Sequence, residues 1–286
     1  MSSEEKKDIF KTNIFSYPIE PPNHAICEIK KSHLPSNQEL YFFSKWHEIY
    51  ERYCSARIFL REALNDDWEY WKYWFKPTDD YNIDLHSKLI FVANFFETAL
   101  INYNILVDLS WTITYVSIEY ALYQLDPQGN IKDSANTYVM LPIEEASKLL
   151  RKLEKIVTSP TSNKNPFQYL NTIQPFPPII NLIINFWNDF SDNEIRSIYN
   201  YIKHQGKPIY SEIIKLYPNR FFSFKTQDKK SHSEQYPSAI NDIQKKLNLY
   251  ENIEKLLKFD DEKLFPYLCE LIEKLRKVIN PSQMII

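Results

Sequence analysis

The amino-acid sequence predicts an all-α protein. The first reason is glycine: the 286-residue chain has only two, and tight β-hairpins and barrels consume glycine. The second is that apolar residues recur at helical spacing in several long segments, with proline marking the connections. Hydrophobic residues make up 44% of the chain and aromatic residues 15%, which is enough for a large apolar core.

The N-terminal third, residues 1–83, is predicted to be an arm followed by a helical extension. Residues 1–35, which include SYPIEPPNH, are expected to be irregular. Ser36 or Asn37 can cap a helix that reaches about Leu64. The tryptophan-rich stretch DDWEYWKYWFKP is expected to form a short helix that Pro77 ends.

Residues 84–286 are predicted to form the main helical bundle. Its longest helix begins at Asp84 and reaches about Leu125. A short hairpin at NTYVMLP, a helix over 143–157 and a proline-rich connection over 163–178 are expected next. Two helices follow, then a loop, then an antiparallel helical pair, over residues 179–190, 192–204, 239–257 and 261–279.

Composition excludes several classes of function. A P-loop, a dinucleotide-binding fingerprint and a kinase glycine loop each need several glycines close together, which this chain lacks. The formal net charge of -3 gives no overall positive field, so a nucleic-acid site would have to be a local patch. Three cysteines, Cys27, Cys54 and Cys269, form neither a CxxC pair nor a disulfide framework.

The chain is expected to be cytoplasmic, without a membrane partner. No basic, apolar leader precedes the polar start MSSEEKKD. The most apolar long segment, 105–122, contains Asp108 and Glu119, and such charges are costly within a bilayer. Glu97, Asn104 and Asp108 share a stripe of the long helix, which is interpreted as a solvated face or as polar groups that face the helix over 192–204.

The main candidate site lies in SDNEIRSIYNYIKHQGKP, residues 191–208. Ser191 with Glu194 three residues later is the pattern of a capping box, and Gly206 before Pro208 is a C-terminal stop. The core face of this helix is predicted from three isoleucines, Ile195, Ile198 and Ile202.

Arg196, Asn200 and His204 recur every fourth residue and therefore form one ridge of that helix. His204 lies in the last turn, where the helix dipole favours a positive charge, and could donate a proton to a leaving oxygen. Arg196 could hold a phosphate, and Asn200 could orient either group. On spacing alone, a capping histidine beside a solvent-facing arginine and asparagine is the alternative.

NYIKHQGKP, with the preceding Tyr199, resembles the motif of the HEPN superfamily (higher eukaryotes and prokaryotes nucleotide-binding). The family pattern has an arginine, a polar residue that is often asparagine, and a histidine further along, commonly as KH before a glycine. Asn200, Lys203, His204 and Gly206 match this form, whereas the family's arginine would fall at Tyr199. The resemblance is expected to span about residues 84–280.

This resemblance implies a HEPN-like helical bundle, a homodimer that places two motifs together, and metal-independent RNA cleavage in active members, often in toxin–antitoxin or defence systems. The main hypothesis is therefore a protein that acts on or binds RNA, with His204, Asn200 and Arg196 as catalytic residues and an antitoxin or defence protein as a possible partner. Inactive relatives serve as scaffolds, which is the first alternative. A small-molecule pocket lined by tyrosine and tryptophan is the second.

Cations and aromatics also mix in RFFSFK, just after the motif. Such a segment can stack bases and hold phosphates, so the candidate RNA-binding residues are Lys203, Arg220 and Lys225. An ordinary surface excursion with its phenylalanines in the core is the alternative. No metal and no cofactor are expected, because the histidine and cysteine spacing in HAICEIKKSH matches no standard zinc pattern.

Overall fold

The computed structural model describes residues 37–123, 148, 151, 177–216, 221–225, 231–235 and 244–279. Within these residues helices predominate, so the predicted all-α class is confirmed. The helices are α1 Asn37–Ala63, α2 Trp68–Trp71, α3 Tyr81–Tyr123, α4 Pro177–Ser191, α5 Glu194–His204, α6 Ser211–Leu216, α7 Leu249–Phe259 and α8 Phe265–Ile279. The strands are β1 Ile209–Tyr210, β2 Phe221–Lys225, β3 Ser231–Gln235 and β4 Lys246–Leu247.

Two of the helices expected in the first half of the chain, α1 and α3, begin and end within a few residues of their predicted bounds, whereas the tryptophan-rich helix ends at Trp71 and not at Pro77. α1 is the helix predicted to begin near Asn37. α2 lies in the tryptophan-rich stretch, and α3 is the long helix predicted to begin near Asp84. The side chain of Asp67 accepts from the backbone N–H of Glu69 at 2.9 Å, which supplies the N-cap of α2. The arm over 1–35, the NTYVMLP hairpin and most of 143–157 and 163–178 lie outside the described residues.

α3 is a long and strongly apolar helix. Its Tyr81–Tyr115 part is long and apolar enough to cross a membrane by length and composition, and it is the only described helix of which this is true. Since 56% of that window is buried inside the protein, and the core helix of a soluble protein meets the same criteria, this is weak evidence for a span. The absence of a membrane partner stays a prediction.

The chain divides into two compact units. Unit A contains the described residues of 57–101 and 194–258, and unit B those of 37–56, 102–193 and 259–279. The predicted boundary at residue 83 stays a prediction. The core of unit A is formed by apolar side chains that are almost fully buried, including Trp71, Val92, Phe96, Leu100, Ile198, Tyr210 and Leu256.

In unit A, a two-stranded parallel pair joins segments far apart in sequence. β1 pairs with β4 in the register Ile209 with Lys246 and Tyr210 with Leu247. The predicted helix over 239–257 is therefore wrong over 244–248, because α7 begins only at Leu249, and residues 239–243 lie outside the described residues. The physical reason is tertiary: the backbone of 245–247 is engaged by β1, and the Ile209 N–H donates to the Lys245 carbonyl at 2.9 Å.

The segment after β1, predicted to be a loop, also contains regular structure. α6 follows β1 directly, and β2 and β3 form an antiparallel hairpin in which Phe221 pairs with Gln235 and Lys225 with Ser231. The expectation of a loop is therefore wrong for the described part. Scarcity of glycine did not prevent this hairpin, since five residues, 226–230, connect its strands and only the tightest hairpin turns require glycine.

The C-terminal segments form one continuous helical run rather than the predicted antiparallel pair. A π-helical turn, Asp260–Leu264, joins α7 to α8, and the residues on both sides of it have helical backbone angles. The predicted helix start at Asp261 is wrong, because helical backbone continues through this turn. Instead the turn places Asp260 inside unit B, where its side chain is fully buried.

Aromatic packing and a buried polar contact hold unit B together. The Phe186 and Tyr267 rings stack with centroids 3.7 Å apart, and the Trp111 and Trp187 rings lie 4.2 Å apart. The hydroxyls of Ser110 and Tyr267 share a hydrogen bond of 2.9 Å. These ring contacts join α3 to α4 and α4 to α8 within unit B.

The hydroxyl of Tyr103 donates to the Asp260 carboxylate at 2.6 Å, and that of Tyr53 lies 3.4 Å from the same oxygen. All three residues are in unit B and at most 1% exposed. A buried carboxylate is costly unless it is hydrogen-bonded, so the two phenols are part of what makes the π-helical turn stable.

Candidate functional site

The start of α5 differs from the predicted capping box. Ser191 is the last residue of α4, and its hydroxyl donates to the Trp187 carbonyl at 2.8 Å. The expectation that Ser191 caps α5 is therefore wrong. A serine hydroxyl can donate to the carbonyl four residues earlier as readily as it can accept from a following backbone N–H. The Glu194 carboxylate instead accepts from the Lys255 ammonium of α7 at 3.0 Å.

The end of α5 is the predicted glycine stop. Gly206 has a φ of 112°, a conformation that L side chains rarely adopt. The N–H groups of Gln205 and Gly206 both donate to the Tyr201 carbonyl, at 2.8 and 3.2 Å. This arrangement satisfies a terminal carbonyl of the helix and turns the chain towards β1.

The two sides of α5 differ sharply in burial. Ile195 and Ile198 are buried, as predicted, and Ile202 is half-buried. On the other side Asn200 and His204 are exposed and Arg196 is half-buried. We call Arg196, Asn200 and His204 the α5 ridge. All three predicted catalytic residues thus lie on the outward side of one helix. At this spacing the Cβ atoms of successive ridge residues are about 5–6 Å apart.

Tyr199, where the family's arginine would fall, lies on the inward side and is only 8% exposed. Its ring contacts two cations of the same helix. The Arg196 guanidinium lies 5.2 Å from the ring centroid and the Lys203 ammonium 5.8 Å. Tyr199 thus helps to fix the positions of one ridge residue and of the exposed, predicted RNA-binding Lys203 by cation–π contacts.

Lys245 adds a further cation beside the ridge, and sequence reasoning missed it. Its ammonium donates to the Ser197 hydroxyl at 3.2 Å, and its backbone N–H donates to the Tyr201 hydroxyl at 3.0 Å. Ser197 and Tyr201 lie on the flank of α5 next to Asn200 and His204. No local signal could have revealed this placement, because residue 245 fell within a predicted helix and reaches α5 only through the β1–β4 pairing.

The chain that leaves the ridge is anchored to α3. The Lys207 ammonium donates to the Asn94 side-chain oxygen at 2.7 Å and lies 3.7 Å from the Glu97 carboxylate. The Tyr210 hydroxyl donates to Glu97 at 2.8 Å. Burial, with the nearby Glu97 charge as a second cause, raises the pKa of Tyr210 well above its usual range.

The polar stripe predicted on the long helix is not a solvated face. Glu97 makes the contacts just described within unit A and its side chain is 14% exposed. In unit B, Asn104 is fully buried and Asp108 is half-buried. The expectation failed because α3 is covered along more of its circumference than its apolar pattern indicated.

The remaining predicted residues are only partly described. Lys225 is the last residue of β2, and Arg220 lies outside the described residues. In the part of the chain that the structure covers, no group of three or more His, Cys, Asp or Glu side chains is placed to hold a metal ion.

The fold and the ridge define a helical protein with a local cationic surface. No family model, no curated protein and no solved structure matches the chain. The resemblance to the HEPN motif thus depends on the residues of α5 and of the glycine stop alone, and a function for the chain has to come from the chemistry of these side chains.

Proposed function

We propose that this protein is a HEPN-like, cytoplasmic protein that acts on RNA through the α5 ridge. The observation that carries the proposal is the outward placement of Arg196, Asn200 and His204, directly opposite the buried isoleucines. None of the three side chains is enclosed in the apolar core, so each can reach a ligand. A phosphodiester is the ligand that best suits an arginine, an amide and an imidazole in one row.

The charges around the ridge favour a polyanion. Arg196 and Lys203 lie on α5, and Lys245 lies on its flank. These cations form a local positive patch although the whole chain has a formal net charge of -3. Such a patch supplies the sequence-independent part of RNA affinity, and the proposed binding residues Arg220 and Lys225 would extend it.

The proposed reaction is a metal-independent transesterification. The 2′-hydroxyl of one nucleotide attacks the adjacent phosphorus while its proton passes to a base. The bond to the 5′-oxygen breaks, and that oxygen takes a proton from an acid. His204 serves as acid or base, Arg196 stabilises the charge that develops on the phosphate, and Asn200 orients them. The products are a cyclic phosphate and a 5′-hydroxyl.

A homodimer would complete such a site. One ridge offers one imidazole, whereas the reaction needs both an acid and a base. Two α5 helices facing each other would supply two copies of His204 and a pair of arginines. An antitoxin or defence protein would then be a natural partner, because an unrestrained ribonuclease is toxic to its own cell.

Burial of Tyr199 favours a second candidate function. The residue at the family's arginine position is a tyrosine, so the family's catalytic arginine is missing there. This tyrosine is 8% exposed and packs inward. In this alternative the ridge binds RNA without cleaving it, or the bundle serves as a dimerisation or partner-binding scaffold. Arg196 then contributes affinity rather than transition-state stabilisation.

The test measures cleavage and binding of labelled single-stranded RNA by the purified full chain in EDTA, with any antitoxin removed. If the site is active, His204→Ala abolishes cleavage. Arg196→Ala weakens it about ten- to a hundredfold, since a charge-assisted hydrogen bond is worth roughly 1.5–3 kcal/mol. The matched control is Lys258→Ala, which removes an exposed cation from α7 and should change little.

Wild-type protein that binds RNA but does not cleave it, with binding lost in Arg196→Ala, would select the inactive reader. Neither cleavage nor binding would reject an RNA function for the ridge. Both variants should remain folded, because the ridge lies outside the apolar core.

A further inference from the structure

A second surface of unit A exposes aromatic rings that the ridge does not use. Tyr73 is 89% exposed, Tyr81 65% and Trp74 44%. Tyr73 and Trp74 follow α2, and Tyr81 is the first residue of α3; we call these three side chains the aromatic surface. Large aromatic side chains concentrated in so short a segment and left open to solvent are typical of an interaction site.

Trp74 packs against the same two phenylalanines, Phe91 and Phe95, as Trp71. Trp71 is fully buried, and its indole N–H donates to the Asn65 carbonyl at 2.9 Å. Trp74 meets Phe95 edge-on with centroids 5.1 Å apart, and it lies 5.6 Å from Phe91. Because its packing fixes the ring in place, Trp74 presents its exposed part without the entropy cost of ordering it on binding.

The same aromatic cluster already accommodates a cation. The Lys88 ammonium lies 5.1 Å from the Trp68 ring centroid and 5.6 Å from that of Trp71. Tyr81 extends this group outward, with its ring 5.8 Å from Trp68. Trp68 and Trp71 thus already bind a cation, and the exposed Tyr81 ring beside Trp68 is suited to a similar contact with an external cation.

Acidic residues are frequent in the segment that carries the aromatic surface. Residues 66–84 contain six acidic residues against two lysines, and one of those lysines, Lys72, is paired with Glu69. Five of the six acidic residues are exposed: Asp66, Asp67, Glu69, Asp79 and Asp80. A surface of this charge repels RNA phosphates and attracts basic groups.

We propose that the aromatic surface binds an arginine-bearing basic segment of a partner protein. A guanidinium stacks on Tyr73 and Trp74, and carboxylates of the same segment pair with its neighbours. Arginine fits better than lysine, because its planar, weakly hydrated head stacks on aromatic faces and forms bidentate hydrogen bonds with carboxylates. This inference does not depend on the RNA function proposed for the ridge.

The test uses the full chain and a fluorescein-labelled octa-arginine peptide, followed by anisotropy at 0.15 M salt. Octa-lysine should bind more weakly. Tyr73→Ala should weaken octa-arginine binding about threefold, the amount expected for one exposed cation–π contact, while Tyr73→Phe retains it. Asp79→Asn with Asp80→Asn should weaken binding about fivefold, the amount expected for two surface ion pairs.

The matched control is Glu254→Gln with Glu270→Gln, which changes the net charge equally at exposed carboxylates outside the aromatic surface. It should leave binding unchanged. Equal loss in the control and in the Asp79/Asp80 variant, or no loss in Tyr73→Ala, would overturn the proposal in favour of non-specific polycation binding. Labelled oligo(U) whose binding Tyr73→Ala reduces, with octa-arginine binding unaffected, would overturn it in favour of RNA.

Discussion

The guanidinium of Arg196 lies 5.2 Å from the centre of the Tyr199 ring, and Tyr199 is 8% exposed. The aromatic residue at the family's arginine position therefore faces inward, while the arginine one turn earlier sits over its ring. Arg196 and Asn200 are one helical turn apart, so they lie one above the other on the outward side. The arginine of the ridge is thus Arg196, three residues before the position at which the family has its arginine.

Tyr199 should act through its ring rather than through its hydroxyl. Tyr199→Phe keeps the aromatic face beside Arg196 and Lys203, so RNA binding should change by less than about twofold. Tyr199→Leu removes that face and should weaken binding about threefold, the size of one cation–π contact. Filter binding of labelled RNA, at a temperature where circular dichroism shows both variants folded, measures this. Equal affinities of the two variants would argue against the ring's role.

The full chain should be a homodimer at micromolar concentration, if the ridge works as a paired site. Light scattering coupled to size exclusion should give twice the mass of one chain. Asn200→Arg places a bulky positive charge on the exposed ridge, where it would repel its copy across the two-fold axis, and should shift the protein towards monomer. Lys258→Glu is the control. A wild-type monomer would count against the paired site.

The Tyr103 hydroxyl should contribute more to stability than that of Tyr53. Tyr103 donates to the buried Asp260 carboxylate at 2.6 Å, whereas the Tyr53 contact is 3.4 Å long. Tyr103→Phe should therefore lower the free energy of unfolding by about 1.5–3 kcal/mol, as for a hydrogen bond to a charged group. Tyr53→Phe should cost less than about 1 kcal/mol. Urea denaturation followed by circular dichroism gives both values, and the reverse order would contradict the assignment.

Tyr210 should make the protein less stable at alkaline pH. Burial raises the pKa of Tyr210 in the folded state, so its phenol stays neutral while that of the unfolded chain ionises near pH 10. Its contribution is complete below pH 10 and is lost progressively as the pH rises above that value, because the unfolded state then binds fewer protons. The fall in stability between pH 9 and about pH 11 should be shallower in Tyr210→Phe.

The exposed Tyr73→Phe variant is the control for this measurement, since Tyr73 is 89% exposed in the folded protein. Each variant is compared with wild type by urea denaturation at both pH values. An unchanged pH dependence in Tyr210→Phe would show that its phenol does not couple folding to proton binding.

Glu212 should cap α7 from a distance in sequence. Its carboxylate accepts from the Leu249 N–H at 2.9 Å and lies 3.5 Å from the Tyr250 N–H. Glu212→Ala should cost about 0.5–2 kcal/mol, as for other N-cap losses, and Glu212→Gln should cost less because the amide oxygen can still accept. Thermal unfolding monitored at 222 nm tests this, with Glu254→Ala on α7 as the exposed control. A larger loss in the control would reject the cap.

The patterns that succeeded were local ones. Helical spacing and a capping residue placed α1, the tryptophan-rich segment placed α2, and Gly206 marked the end of α5, because each depends on residues within a turn or two. The outward placement of Arg196, Asn200 and His204 followed from the same reasoning, since three isoleucines defined the opposite face. What these residues do chemically stays a prediction.

The patterns that failed competed with partners far along the chain. Ser191 capped the helix before it, and residues 245–247 joined a parallel pair with β1 although their sequence suited a helix. The helix start predicted at Asp261 is instead part of a π-helical turn inside a continuous helix. The hydroxyls of two tyrosines of unit B donate to the Asp260 carboxylate in that turn. Local propensity differs by only a few tenths of a kcal/mol per residue, so one such contact outweighs it.

The sequence by itself determined the helical class, most of the helix positions and the row of polar residues along α5, since all three depend on spacing and on a few capping or breaking residues. Only the tertiary structure decided that Tyr199 lies under Arg196 on the buried side, that Lys245 lies beside the ridge and that Tyr73 and Trp74 remain exposed. The physical reason is that burial and charge proximity arise from segments separated by dozens of residues, and no local pattern records which of them meet.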